Sequence, residues 1–341
     1  MKSIYVPVAL FISLILLCGS SVSAQTATGE KFAFEQNRRL GRGVNIIGYD
    51  PRWKDSTKAR MQEKHFTLIK KAGFDNVRIV ISPFKFSMND SAFTINPKFF
   101  VTLDWAIQSA LKNKLMAIVD FHEHGAMGKD PLGNKSKFLS MWRQIAEHCK
   151  GYPNDVLFEV ANEPNMKPEI WNEIHREAYD IIRQSNPGRT LLIGSVYGNQ
   201  IAYLKDLKLP ENDRNIIVAV HYYSPIQFTH QGAPWSIKNR DLSGIEWKGT
   251  AEEMKAVQLD FDTAYAWGIS HKRPITLGEF GAYEKADMAS RLRWTNYVAR
   301  QAELRNWSWT YWQFDSDFVV YDIDKDEWKL DLLNALIPKK P

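Results

Sequence analysis

From about residue 38 onward the chain alternates short apolar runs with amphipathic stretches of helical length, eight times over. The apolar runs fall at 43–47, 74–81, 115–121, 156–161, 190–194, 216–222, 274–280 and 308–314. The intervening helix-like segments fall at 57–72, 97–112, 136–150, 168–185, 199–207, 250–267 and 285–305, with a closing one at 331–337. Strands that are apolar throughout, without in-out alternation, are covered on both faces, as in a parallel sheet wrapped by helices. This pattern predicts a single-domain α/β fold, a (β/α)8 TIM barrel, which routinely takes a length of this order. A doubly wound open sheet is the structural rival. It would carry a Gly-rich phosphate turn after its first strand, but Gly41-Arg42-Gly43 does not continue as G-x-G-x-x-G, and no P-loop follows.

The segment before the repeats has a different character. Lys2, an apolar stretch over 6–17 and the small-residue site Val22-Ser23-Ala24 read as a secretory signal peptide over residues 1–24. The catalytic or binding domain then occupies 25–341. Secretion, to the periplasm or the outside, is expected, with no membrane attachment after cleavage and a monomeric product. Leu17 before Cys18 is not the small residue that a lipidation site needs. After cleavage Cys149 is the one remaining cysteine, so stability must come from the core and not from a disulfide. With 44 Lys+Arg against 39 Asp+Glu and no long basic run, nucleic acid is not the expected partner. The 12 Trp suit a polar ligand with flat faces to stack on.

A barrel carries its chemistry at the C-terminal ends of its strands. In this chain those ends are polar: Asn45, Arg78, His122-Glu123-His124, Asn162-Glu163-Pro164, His221-Tyr222-Tyr223, Glu279, and Trp312 with Asp315. Two glutamates facing each other across a cleft suit acetal hydrolysis, one protonating the leaving oxygen and the other attacking the sugar. The competing reading makes each a buried ion-pair partner, for example of Arg78. Glu159, four residues below Glu163 on the same face, reads as a core carboxylate.

Phe158-Glu159-Val160-Ala161-Asn162-Glu163-Pro164 resembles the acid/base strand of glycoside hydrolase family 5, the cellulase and mannanase family. Leu277-Gly278-Glu279-Phe280-Gly281 is similar to its nucleophile strand, and GFDNVRI, HYY and WTYW follow in family order. The resemblance implies a retaining endo-acting hydrolase of β-1,4-glucosidic bonds, with endo-β-1,4-mannanase as the alternative. It implies Glu163 as general acid/base and Glu279 as nucleophile, held ionised by Arg78 and touched by Tyr223. His221 would sit beside Glu163, Asn162 and His122 would bind sugar hydroxyls, and Trp312 would stack under the sugar. Asn45, His230 and Trp235 carry over as further substrate contacts. Such a pair needs its two carboxyls pushed in opposite directions. Related endoglucanases often place a second His where this chain has Glu123, so Glu123 is expected to affect glucose–mannose discrimination. The polar segment 125–134 reads as a subsite wall or a connector.

Two further classes remain. His122-x-His124 is a possible metal pair, but no strand-end Lys completes such a site, so no metal and no cofactor is expected. A non-catalytic carbohydrate-binding protein commonly loses one carboxylate, and here both stand.

Overall fold

A computed structural model describes Met1 and residues 29–338. Beyond Met1, the expected signal segment with Cys18 lies outside the described residues. Eight parallel strands close into a barrel in chain order: β1 Arg42–Ile46, β2 Asn76–Ile81, β3 Met116–Phe121, β4 Val156–Glu159, β5 Leu191–Gly194, β6 Ile216–Tyr222, β7 Ile275–Phe280 and β8 Ser308–Tyr311, which pairs back onto β1. Around them run α1 Glu63–Lys71, α2 Pro97–Lys112, α3 Pro131–Cys149, α4 Pro168–Ser185, α5 Ala251–His271, α6 Met288–Leu304 and α7 Leu330–Leu336.

The period-2 geometry of a strand sorts side chains into two cores. On β3, Ala117, Val119 and Phe121 point outward and pack with Phe138 and Trp142 of α3. Met116 and Ile118 point inward and meet Leu157, Leu192, Ile217 and Ala219 in an apolar floor inside the barrel. Leu40 completes that floor from below. It ends a helical stretch over 29–40, whose Asn37 side chain donates to the Ile275 carbonyl at 3.1 Å. The sequence pattern, followed from residue 38, missed this plug.

Three connections differ from expectation. The first helix is shorter than 57–72: Asp50 accepts from the backbone N–H groups of Arg52, Arg60 and Met61, tying that stretch into turns before Gln62 and His65 cap α1. Segment 125–134 is not a loop but a short helix, His124–Lys129, running into α3, which Asp130 caps through the Gly133 N–H. The fifth repeat has no α-helix of useful length: Val196–Asn199 is a kinked turn with residues in left-handed conformation, and Ile201–Asp206 is a single 3-10 stretch.

Candidate active site

Above the apolar floor the inward positions turn polar. The register pairs Asn45 with Arg78 and Asp120 with Glu159, bringing these side chains to one level. Arg78 is fully buried at the centre. Its Nε and Nη2 donate to the two oxygens of Glu159 at 2.6 and 2.9 Å, and Nη1 donates to Glu279 Oε1 at 2.6 Å and Asn45 Oδ1 at 2.8 Å. Nη2 also reaches Asn162 Oδ1 at 2.8 Å and Asp120 Oδ2 at 3.2 Å. The planar fork of a guanidinium suits such divided use, and a point-charge ammonium would not. Glu159 is thus the core carboxylate expected. Arg78 lies against Glu279 as expected, beneath the cleft, and Asn45, expected among the substrate contacts, lies beneath the cleft instead: it has no exposed surface, and its amide donates to the carbonyls of Gly278 and Tyr311.

One guanidinium cannot fully compensate three buried carboxyls. Burial pushes Asp120 up to about 7 against the pull of Arg78, and it raises Glu159 likewise. Burial also raises Glu279 above its ordinary value, with His221 and Arg78 pulling it back. Surroundings that favour the Glu279 anion outright, as the sequence leads one to expect, are not what the fold provides: that anion depends on its partners. Those partners are close: the Tyr223 hydroxyl donates to Glu279 Oε2 at 3.0 Å, and His221 Nδ1 lies 3.6 Å from the same oxygen.

Glu163 stands higher, at the end of the β4 extension, with a left-handed φ of 45°. Its Oε1 lies 2.9 Å from His221 Nδ1. One oxygen of Glu163, His221 Nδ1 and one oxygen of Glu279 all lie within 4.8 Å of one another. Such a trio could in principle grip a cation. Each donor is already engaged, however, Glu279 by Arg78 and Tyr223 and Glu163 by His221, so the set is better built to hold two carboxyls a fixed distance apart.

The cleft over this pair holds about 680 Å³, with Tyr49, His122, His124, Asn162, Trp312 and Trp235 in its wall. His122 donates or accepts through Nδ1 with Asp120 Oδ2 at 2.8 Å, and its ring stacks on Trp312 with centroids 5.6 Å apart. Asn162 Nδ2 faces His122 Nε2 at 3.3 Å. His230 packs edge-on against Tyr223, and Trp235 stands half exposed at the rim against Tyr283. Past Glu163 the cleft continues into a bay of about 530 Å³ bounded by Gln200, Ser224, Ile226 and Asp260. Past Tyr49, at the other end, a smaller bay of about 250 Å³ is bounded by Arg60, Gln313 and Asp315.

Glu123 is not in this cleft. Its Oε1 accepts from the Phe84 backbone N–H at 2.8 Å, bracing the loop after β2, and His124 lines the cleft in its stead. The site therefore brings together Glu163, Glu279, His122, Asn162, His221, Tyr223, His230, Trp235 and Trp312. Tyr49, Asp120 and Asn199 went unread. Asp120 was detectable, two residues before His122 on the same strand face, but it sat inside a run scored as apolar. Tyr49 lies in a connection that carries no periodic signal, and Asn199 opens the helix-like segment 199–207, where a single amide at the first position has no signal of its own.

With this geometry in view, the family model described as Cellulase (glycosyl hydrolase family 5) matches residues 37–317. Endoglucanase H of Acetivibrio thermocellus is 30% identical over 319 residues, covering 89% of this chain. This chain spans only about a third of that protein's length (33%). Thermotoga maritima Cel5A in complex with cellobiose superposes with a TM-score of 0.85 at 40% identity, covering 89% of this chain and 100% of that one. The same protein with mannotriose gives 0.84 at 40% identity, with 89% and 100% covered. Cellulose synthase subunit Z of Clostridioides difficile gives 0.82 at 39% identity, covering 87% and 99%. The barrel, its strand-end carboxyls and these matches agree, and the chain belongs to the cellulase family of glycosyl hydrolases, family 5.

Proposed function

We propose that the chain is an endo-acting hydrolase of β-1,4-glucans that retains anomeric configuration and also accepts mannose-containing chains. The observation that carries the reading is the carboxyl pair. Oxygens of Glu163 and Glu279 approach within 4.8 Å, the short spacing of a direct nucleophile and not the roughly 6.5–9.5 Å that leaves room for an intervening water. Glu163, on the open side of the pair, protonates the glycosidic oxygen as the bond breaks. Glu279, fixed by Arg78 and Tyr223, attacks the anomeric carbon, and the sugar becomes esterified to it. Water then enters where the leaving group was, Glu163 takes its proton, and the ester is released with two inversions. In this reading Asn162, in the cleft wall beside Glu163, binds the 2-hydroxyl of the reacting sugar, and Trp312 in the same wall offers a flat face for stacking. Stacking reads ring planes more than hydroxyl orientation, so C2 discrimination rests on few polar contacts. Apolar and stacking contacts alone discriminate by only about 10–200-fold. Cel5A of Thermotoga maritima, seen with both cellobiose and mannotriose, supports a site of this breadth.

Hydrolysis of mixed-linkage glucan and glucomannan with retained anomers, followed by proton NMR, tests the reaction. Glu163→Gln should harm unactivated oligosaccharides far more than dinitrophenyl glycosides, which need no acid; equal loss on both would remove Glu163 from that role. Cleavage of pure mannan with glucans untouched would promote the mannanase alternative. We also propose that residues 1–24 direct export and are removed, and that the mature protein is a monomer. N-terminal sequencing of the secreted protein and light scattering check both points.

A further inference from the structure

The connection after β5 is the most strained segment near the site. Tyr197, Gly198 and Asn199 lie in succession at φ 56°, 88° and 51°. A non-glycine residue in this region is costly, and two flanking a glycine persist only where the surroundings hold them. Here they are held. The Tyr197 N–H donates to the Pro164 carbonyl at 2.7 Å, clasping the turn onto the residue after Glu163. Asn199 is fully buried, and its amide fits against β5 only because residue 194 is glycine: a Cβ there would sit 2.3 Å from Asn199 Oδ1. The Asn199 Nδ2 lies 3.2 Å from His221 Nε2, while its Oδ1 has no partner. Among the described residues, no other hydrogen bond reaches Nε2.

We infer that Asn199 is a positioning residue: by donating to His221 Nε2 it fixes the tautomer whose Nδ1–H points at Glu163. A neutral imidazole carries one ring proton, so a donor at one nitrogen places that proton on the other. Burial keeps His221 neutral, its pKa pulled down to about 4. Its Nδ1–H then occupies Glu163 Oε1 at 2.9 Å whether or not that carboxyl is protonated, which leaves Oε2 as the oxygen that carries the transferable proton. Other titratable groups surround the pair: Arg78 on β2, Asp120 on β3 and His122 just after it, Glu159 on β4, Glu279 on β7 and Tyr223 after β6. His124 and Tyr49 face Glu163 from the cleft mouth. These set the general field, whereas Asn199 alone addresses Nε2. The catalytic consequence rests on the role proposed for Glu163, but the tautomer does not.

Two measurements test this. In the ¹⁵N-histidine spectrum of the wild-type protein, His221 should be protonated at Nδ1 and bare at Nε2. In Asn199→Asp, nearly isosteric and tolerant of left-handed backbone, the carboxylate accepts instead of donating, so Nε2 should gain a proton. Both Asn199→Asp and Asn199→Ala should lower kcat/KM on cellotetraose by about 10-fold or more, a part of the 10²–10⁴ that a positioned acid supplies, and lower it several-fold less on dinitrophenyl cellobioside. A wild-type His221 protonated at Nε2 would overturn the inference even if neither variant folded. So would equal losses on the two substrates, the pattern of a merely structural role. Should the wild type hydrolyse no glycan yet show the Nδ1 tautomer, the proposed function fails and the role of Asn199 in setting the tautomer stands.

Discussion

At the scale of single residues, the site is a contest between burial and one guanidinium. Asp120, Glu159 and Glu279 all press on Arg78, and none of the three keeps an ordinary carboxyl pKa. Asp120 makes the consequence measurable. Its pKa rises from 3.8 to about 7 on folding, chiefly through burial. Between those values the folded protein holds a proton that the unfolded chain has released, so Asp120 makes stability fall as pH rises through that window. The buried imidazoles of His122, His221 and His230 act oppositely. Each falls from 6.5 to about 4, so between those values the unfolded state binds more protons and stability rises with pH. Asp120→Asn removes one of the falling contributions. Its unfolding free energy should therefore climb more steeply than that of the wild type between about pH 4 and 6.5, in urea titrations at fixed ionic strength. Parallel curves would show that Asp120 does not take up a proton on folding. The carboxyl pair was legible in the sequence because both glutamates end apolar strands. The proton economy beneath them was not, because it depends on which inward-facing residues of different strands share a level.

At the scale of elements, legibility follows the strength of the local signal. All eight strands fall at the predicted runs, and the helices α2 and α4 match the predicted segments 97–112 and 168–185 at both ends. Thr250 followed by Glu252 and Glu253 is a helix-start pattern in the sequence, and α5 begins there with a reciprocal cap: Thr250 Oγ1 accepts from the Glu253 N–H, and the Glu253 side chain accepts from the Thr250 N–H. Thr250→Ala should cost about 1 kcal/mol of stability in chemical denaturation. It should leave kcat/KM unchanged, since the cap lies outside the cleft-lining residues; a loss of activity without a loss of stability would mean that α5 positions Asp260 in the bay beyond Glu163. The connections went the other way. Helix His124–Lys129 is rich in glycine, a composition that points to a connector and does not show that the chain entering α3 is already wound. The apolar residues of the β5 connection, Ile201 and Leu204, are spaced like a helix, but the chain winds there only as a six-residue 3-10 stretch of about two turns. Glu123 failed as a cleft residue for a related reason: its position along the strand end was right, but the backbone turns there and aims the side chain at Phe84.

At the scale of the whole molecule, the cleft is a trough with the carboxyl pair near its middle. The bay beyond Glu163 and the bay beyond Tyr49 lie on opposite sides of the central cleft, and each shares wall residues with it: Glu163 and Tyr223 on one side, Tyr49 on the other. Sugar units can therefore extend past the cleavage point in both directions, which is the geometric requirement for attack within a chain. Tyr49 and Trp235, both with large exposed faces, flank the central cleft and can grip a polymer away from the reacting bond. On this reading the viscosity of mixed-linkage glucan or glucomannan should collapse while few reducing ends have formed, and the early products should be oligosaccharides of several lengths. Trp235→Ala should then raise KM on polysaccharide by roughly 2- to 12-fold, the equivalent of about 0.5–1.5 kcal/mol of lost aromatic contact, with a smaller change in kcat. An enzyme confined to chain ends would behave differently: viscosity would fall only in step with reducing sugar, and one short product would dominate from the start. That outcome would mean that one of the two bays is closed to sugar, and comparing product lengths from end-labelled cellopentaose would show which.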